Sequence, residues 1–350
     1  MTNTKPRVLL GMSGGIDSST SALLLKEKGY EVIGISFKTW TEYKTPEKTF
    51  YNEGSFITKA QKLAQKFQIE HHVVDLTEAF HKEVIKNFVD EYFCGRTPNP
   101  CVVCNKKIKF KTLIEKAKEF NCDFVATGHY ARIGCENNRF FVKKALDPSK
   151  DQSYFLWRLP NDYLSKIIFP LGTFCKKDII EEHKDLDVAK ESFEICFIPD
   201  NNYRNLLSNY DSKVGTGKFV LDGKVVGEHK GFYFYTIGQR SGLGVAMGYP
   251  VFVKSIDAKE NIVYLGREED LYENRFEVRD VNIMKFEDYP EDGFECEVKI
   301  RYRNAGYRGK LFLCGEKKFV VLDEKVKSIT PGQSAVFYEG EDVIGGGIIC

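Results

Sequence analysis

No stretch of the 350-residue chain approaches the roughly 18 consecutive apolar residues of a membrane-crossing helix, so nothing is expected to span a bilayer. An excess of charge is also lacking. The 51 Lys and Arg face 50 Asp and Glu, a net charge of +1, so a polyanionic partner would have to be met by local patches. The ten cysteines form no dense framework, and a structural disulfide scaffold is not expected. Cysteines that do pair are expected to be catalytic or metal-bound. The opening MTNTKPRVLLGMSGG is too poor in apolar residues before its Gly-rich turn for a signal peptide, which predicts a cytoplasmic location. Long repeats and low-complexity segments are missing too.

What is present divides in style. RVLLG at 7–11 suits a short buried strand, and residues 16–29 carry a helical stripe ending on Gly29, a candidate C-cap. Strand-like runs at 32–37, 72–76 and 123–127 alternate with helix-like runs at 55–67, 77–92 and 106–120, with Thr77 a candidate cap. That alternation predicts an α/β domain with a doubly wound, mostly parallel sheet and ligands at the carboxyl ends of its strands. From residue 215 short β-rich runs take over, and Asp222-Gly223 between two of them signals a hairpin. The expected domains are an α/β domain at 1–200, a small central β-rich domain at 201–270 and a C-terminal β-barrel at 271–350.

GMSGGIDS, residues 11–18, follows the first strand and opens a helix, where backbone N–H groups can cradle phosphate. Gly14 and Gly15 leave room for close approach, Ser13 and Ser18 offer hydroxyls, and Asp17 could hold a Mg²⁺ ion. A Walker A loop is excluded because no Gly-Lys-Ser/Thr follows, so the loop carries no lysine for a phosphoryl group. A plain Ser-Gly-Gly turn is the bland alternative. The stretch resembles the signature of pyrophosphatase-loop ATPases, which cleave ATP between its α- and β-phosphates and attach AMP to a carbonyl oxygen.

An activated carbonyl needs a nucleophile, and a thiolate or persulfide is a strong one. Cys101 and Cys104 make the one C-x-x-C, in TPNPCVVCN, and Lys106, Lys107, Lys109 and Lys111 follow. Those lysines and a nearby helix start are expected to lower a thiol's pKa. Cys196 in ESFEICFIP has apolar neighbours that suit a core residue equally well.

GMSGGIDSS, GRTPNP, IKF, ATGHYAR, KDQSYFLW, ICFI, YTIGQRSGLG, RYR and TPGQSAVFYEGEDVIGGGII together resemble the bacterial-type tRNA-specific 2-thiouridylases (tRNA-uridine 2-sulfurtransferases) over nearly the whole chain. The resemblance implies that ATP adenylates the C2 oxygen of the wobble uridine in the anticodon loop of tRNA. Cys104 would be the nucleophile and Cys196 the persulfide loaded by a sulfur-donor protein, with a transient Cys104–Cys196 disulfide. It implies ATP contacts at Gly11, Met12, Ser13, Gly14, Gly15, Ile16, Asp17, Ser18, Phe37 and Gly128. Asn99, Pro100 and Cys101 would border the target base, and His129, Lys150, Asp151, Gln152, Arg301, Tyr302 and Gln333 would touch tRNA. Cys101 departs from the Asp of several members, which leaves its role open. As an alternative, Cys101, Cys104 and Cys196 could be three ligands of an Fe–S cluster with an open iron. A structural zinc normally needs a fourth ligand; Cys94 could supply one, but no spacing demands it.

KIRYRNAGYRGK, residues 299–310, holds five basic residues and no acid. On a strand Arg301 and Arg303 would share a face and track phosphates, or else keep a solvated edge soluble. The competing functions are another AMP-forming ligase on the same loop and a non-catalytic RNA-binding module.

Overall fold

The central strand of the sheet is buried on both faces: Val8, Leu9 and Leu10 are fully enclosed. Each such side chain contributes about 1.5–3 kcal/mol by leaving water. In the computed structural model, which describes residues 5–40, 43–44, 49–50, 53–184, 186, 188, 195–198, 202–210, 214–287, 290, 292–315 and 317–350, this strand is Arg7–Gly11. It pairs in parallel with Glu31–Lys38 on one side and Phe124–Ala126 on the other. Glu70–Asp75 and Ile167–Ile168 complete five parallel strands at the two edges. The order reverses direction beside Arg7–Gly11, and the turn carrying residues 11–18 leaves from that switch point.

The helix Ile16–Glu27 buries Ser18, Ser19, Thr20 and Ser21 before Ala22 and Leu25, so its core face starts hydroxylic rather than apolar. Ser19 Oγ donates to Gly15 O at 2.9 Å and Ser21 Oγ to Asp17 O at 2.8 Å, which satisfies those hydroxyls within the helix. Gly29 follows the helix with φ +86°, the left-handed position expected of it. The helical run from Thr77 has Leu76 at its N-cap with no side-chain capping bond, while just ahead of it Asp75 Oδ1 accepts the Thr77 N–H at 2.9 Å; Thr77 itself is the first helical residue, not the cap.

Two units make up the chain: residues 1–85, 101–199 and 341–344, and residues 86–100, 200–340 and 345–350. The first holds the parallel sheet and the hairpin Arg132–Glu136 with Arg139–Lys143. The second holds a four-stranded sheet of Lys224–His229, Gly217–Leu221, Ile262–Gly266 and Phe252–Asp257. Its hairpin turns at Asp222 and Gly223, with φ +50° and +75°, as Asp-Gly predicts. A six-stranded barrel also belongs to it, closed because Tyr272–Ile283 pairs with both Lys317–Lys327 and Asp342–Ile349. Closure leaves no free edge. The helix Lys86–Phe93 is fastened there by Glu91, which takes Arg96 Nε at 2.6 Å and Arg279 Nη2 at 2.9 Å.

The basic segment departs from the expected strand. Phe294–Lys299 ends before it and Tyr307–Cys314 begins after Arg301–Arg303, which lie in the connecting turn. Arg301 and Arg303 therefore do not share a strand face. Arg301 Nη2 instead donates to Ser328 O at 2.6 Å.

Candidate active site

Glycine at 14 and 128 brings backbone against backbone. Gly14 has φ +73°, and a Cβ there would lie 2.6 Å from Phe56 O. A Cβ on Gly128, just past the strand Phe124–Ala126, would lie 2.9 Å from both Asp17 C and Ser18 N. Only hydrogen fits between GHY and the turn, so the two motifs are packed together as their strand ends predict. Inside the turn Ser13 N–H donates to Ser18 Oγ at 3.2 Å, and the Ser13 and Ser18 hydroxyls lie 3.3 Å apart. From below, Ser36 Oγ donates to Met12 O at 2.6 Å.

Asp17 is more engaged than the motif suggests. Tyr130 donates its hydroxyl to Asp17 Oδ1 at 2.9 Å, and Lys176 Nζ reaches the same oxygen at 2.5 Å. Lys176 begins the helix Lys176–Glu182, 159 positions away, and no local signal marks it. Among the described residues no protein donor is recorded on Oδ2. A Mg²⁺ ion held by one carboxylate plus substrate phosphates fits that free oxygen.

The cysteine pair sits on a helix rather than in the loop before one. Pro100–Cys104 is helical, with proline in the first turn, where its missing N–H costs nothing. A wider π turn, Asn105–Lys109, follows, and Phe110–Glu119 continues the run. Such turns insert one residue and change the face that later side chains take. Asn105 Nδ2 anchors the turn to Phe155 O at 3.0 Å.

Cys104 feels the charge of Cys101, Cys196 feels that of both, and all three interact electrostatically with Lys109. The other lysines of the run differ: Lys107 pairs with Glu83 at 3.8 Å. The expectation of lowered thiol pKa values is overturned, because burial outweighs the cation. Burial pushes Cys104 up to about 11 although Lys109 pulls down. Cys104 closes its short helix, so no helix start assists it. Cys196 goes up to about 12, first from crowding by protein atoms and then from Cys104 and Cys101. Its side chain still presents surface to solvent. The exposed area governs reagent access, while the crowding governs the cost of charge. Lys109 is raised: burial alone would lower it, but the three sulfurs outweigh that.

Lys109 also links the thiols to the phosphate turn. Its charge and, more strongly, burial drive His129 down to about 3, a neutral imidazole at neutral pH. His129 packs against Phe110 and Phe169 and shares a 2.8 Å hydrogen bond with Thr127 Oγ1. Thiols, Lys109, His129, Gly128 and the Asp17–Ser18 backbone thus form one contiguous series.

All three thiols are free, and among the described residues no group of three His, Cys, Asp or Glu is arranged to hold a metal ion. Asp151 is buried and spends its carboxylate on Ala145 N, Ser153 N and Ser153 Oγ, which shapes its loop. Gln152 clasps Tyr130 through both backbone and side chain. Lys150 is half-buried beside them, and Phe37 lies near the carboxyl end of its strand.

In the second unit, Gln333 Nε2 donates to Thr97 O at 2.8 Å, and the Thr97 N–H donates to Pro331 O at 2.8 Å. This fixes the segment leading to Asn99 and Pro100. Thr97, Thr236, Gln239, Arg301, Thr330 and Gln333 line a depression of about 380 Å³, with Tyr302 next in the chain to Arg301.

Three family models match successive stretches: a tRNA methyl transferase HUP domain at 6–200, a tRNA methyl transferase PRC-barrel domain at 205–267 and an aminomethyltransferase beta-barrel domain at 273–349. A tRNA-specific 2-thiouridylase of Cytophaga hutchinsonii is 46% identical, covering 99% of this chain and 97% of its own. One from Amoebophilus asiaticus is 45% identical, covering 99% and 95%. One from Clostridium botulinum is 44% identical over 99% of each chain.

Proposed function

The chain belongs to the tRNA-specific 2-thiouridylase family, a family of sulfur-transferring enzymes, and from there we propose that it thiolates C2 of the wobble uridine with ATP as activator, Cys104 as nucleophile and Cys196 as persulfide carrier. The single observation that carries this reading is the gathering of Cys104 and Cys196 around Lys109, in a series that runs to the phosphate turn.

The backbone N–H groups of the turn bind phosphate, and Asp17 Oδ2 would hold Mg²⁺, which would supply positive charge against the phosphates. The uracil C2 oxygen attacks the α-phosphorus, the bond to the β-phosphate oxygen breaks, and pyrophosphate leaves with the electron pair. The terminal sulfur of the Cys196 persulfide attacks C2, and AMP leaves with the former C2 oxygen. The Cys104 thiolate then attacks Cys196 Sγ, which forms the disulfide and releases the thiolated base. An external thiol must supply two electrons to reset the pair. The exposed side of Cys196 suits loading by a sulfur-donor protein.

Asn99, Pro100 and Cys101 flank the base in this reading, and Gln333, Arg301, Tyr302, His129, Lys150, Asp151 and Gln152 meet or shape the surface for tRNA. Among the described residues no helix is long and apolar enough to cross a membrane, which supports a cytoplasmic site of action. The test incubates full-length enzyme with ATP, a persulfide donor and unmodified tRNA, and follows AMP and thiolated nucleoside. Cys104→Ala and Cys196→Ala should each stop thiolation. A ligase would keep forming product in both variants, and a binding module would form no AMP. Iron retained after anaerobic purification, with activity lost on its removal, would favour the cluster chemistry instead.

A further inference from the structure

The phosphate turn has a charge problem. Asp17 places a carboxylate where phosphate is to bind, and the turn contains no cation of its own. Lys176 supplies one from a distant helix. Its residue is 4% exposed, its N–H donates to Asp147 Oδ2 at 3.0 Å, and its ammonium lies 5.7 Å from the centre of the Tyr130 ring. Nζ meets Asp17 Oδ1, the oxygen that also takes the Tyr130 hydroxyl.

An enclosed ammonium is costly unless paired, so this lysine is held for its charge. The apolar cluster of Tyr130, Ala145, Leu171 and Ile179, with Ile16 and Leu24 against it, already fastens the two helices together. A tie between them does not require an ion pair.

We propose that Lys176 is a pyrophosphate-binding residue: it neutralises Asp17 in the empty site and shifts onto the β- and γ-phosphate oxygens when ATP enters. The proposal rests on the ATP reading above. The charge that distinguishes ATP from AMP calls for a cation beside the turn. The flexible four-carbon stem of lysine lets the ammonium move from carboxylate to phosphate without moving the helix. The lysine that a Walker A loop carries in sequence is here provided through space.

Equilibrium binding of ATP, AMP and inorganic pyrophosphate to the full-length enzyme with Mg²⁺ tests the assignment. Lys176→Met should weaken ATP and pyrophosphate by about ten-fold or more and AMP by less than about two-fold, the loss of a charge-assisted contact. Lys176→Arg should recover most of the loss. A merely structural lysine would weaken ATP and AMP equally, or neither, and that result overturns the proposal. Should Lys176→Met not fold, Lys176→Gln, which keeps a donor to Asp17 without the charge, is judged by the same ratio. Wild-type enzyme that binds no ATP would overturn the nucleotide reading, and this assignment with it.

Discussion

The thiol at 104 offers the most direct measurement. Its pKa of about 11 means that the resting enzyme holds a thiol and not a thiolate. At pH 8 about 0.1% would be ionised, against roughly a quarter for an ordinary cysteine near 8.5. In a Cys101→Ala/Cys196→Ala background, reaction of Cys104 with iodoacetamide can be followed by mass spectrometry from pH 7 to 10.5. The rate should climb about ten-fold per pH unit, with no plateau below pH 10. Limited access to the buried sulfur lowers the whole curve but leaves its slope unchanged, so the slope reports ionisation alone. Lys109→Met should move the rise to still higher pH, because the cation is the group pulling the thiol down. A plateau at or below pH 9 in the parent, or no change on removing Lys109, would refute the argument that burial prevails over the cation. Substrate binding would then not be needed to generate the nucleophile.

Gly128→Ala should weaken ATP by about ten-fold or more, since its Cβ would lie 2.9 Å from the Asp17–Ser18 backbone; titration calorimetry reads this. Glu91→Ala should cost about 1–2 kcal/mol of stability, because it removes the carboxylate shared by Arg96 and Arg279 and leaves Arg279 only its exposed contact with Asp280. Burial raises the Glu91 pKa, but the two arginines outweigh it and the net shift is downward. Its contribution is therefore present above the ordinary carboxylate pKa and is lost as pH falls through the lowered value. Thermal melts of parent and variant should draw together as pH falls below the ordinary carboxylate range. Gln333→Ala frees the Thr97 carbonyl and should raise KM for tRNA several-fold with little change in ATP affinity; an unchanged KM would separate Gln333 from tRNA binding.

Where local rules dominate, the sequence is enough. RVLLG forms a strand at Arg7–Gly11, and Asp222-Gly223 makes the tight hairpin, because a run of apolar residues or one pair of turn residues decides the outcome. The phosphate turn is legible for the same reason. Lys176 is not, because its partner is 159 residues away and nothing nearby distinguishes it from a surface lysine. The thiols mislead for a different reason. Four lysines follow Cys104 in the chain, but a π turn and burial decide which one counts, and burial reverses the sign of the shift. Arg301 and Arg303 read as strand by alternation, yet the chain turns there, and a residue's face depends on where pairing stops.

The bond from Gln333 to Thr97 joins positions 236 apart. A ribosome adding about 5–20 residues per second needs roughly 12–47 s between the two. Throughout that interval the nascent chain carries its thiol-bearing segment with the preceding TPNP stretch still unsecured by Gln333. The grip on this stretch is therefore completed only when the closing strands of the barrel are made.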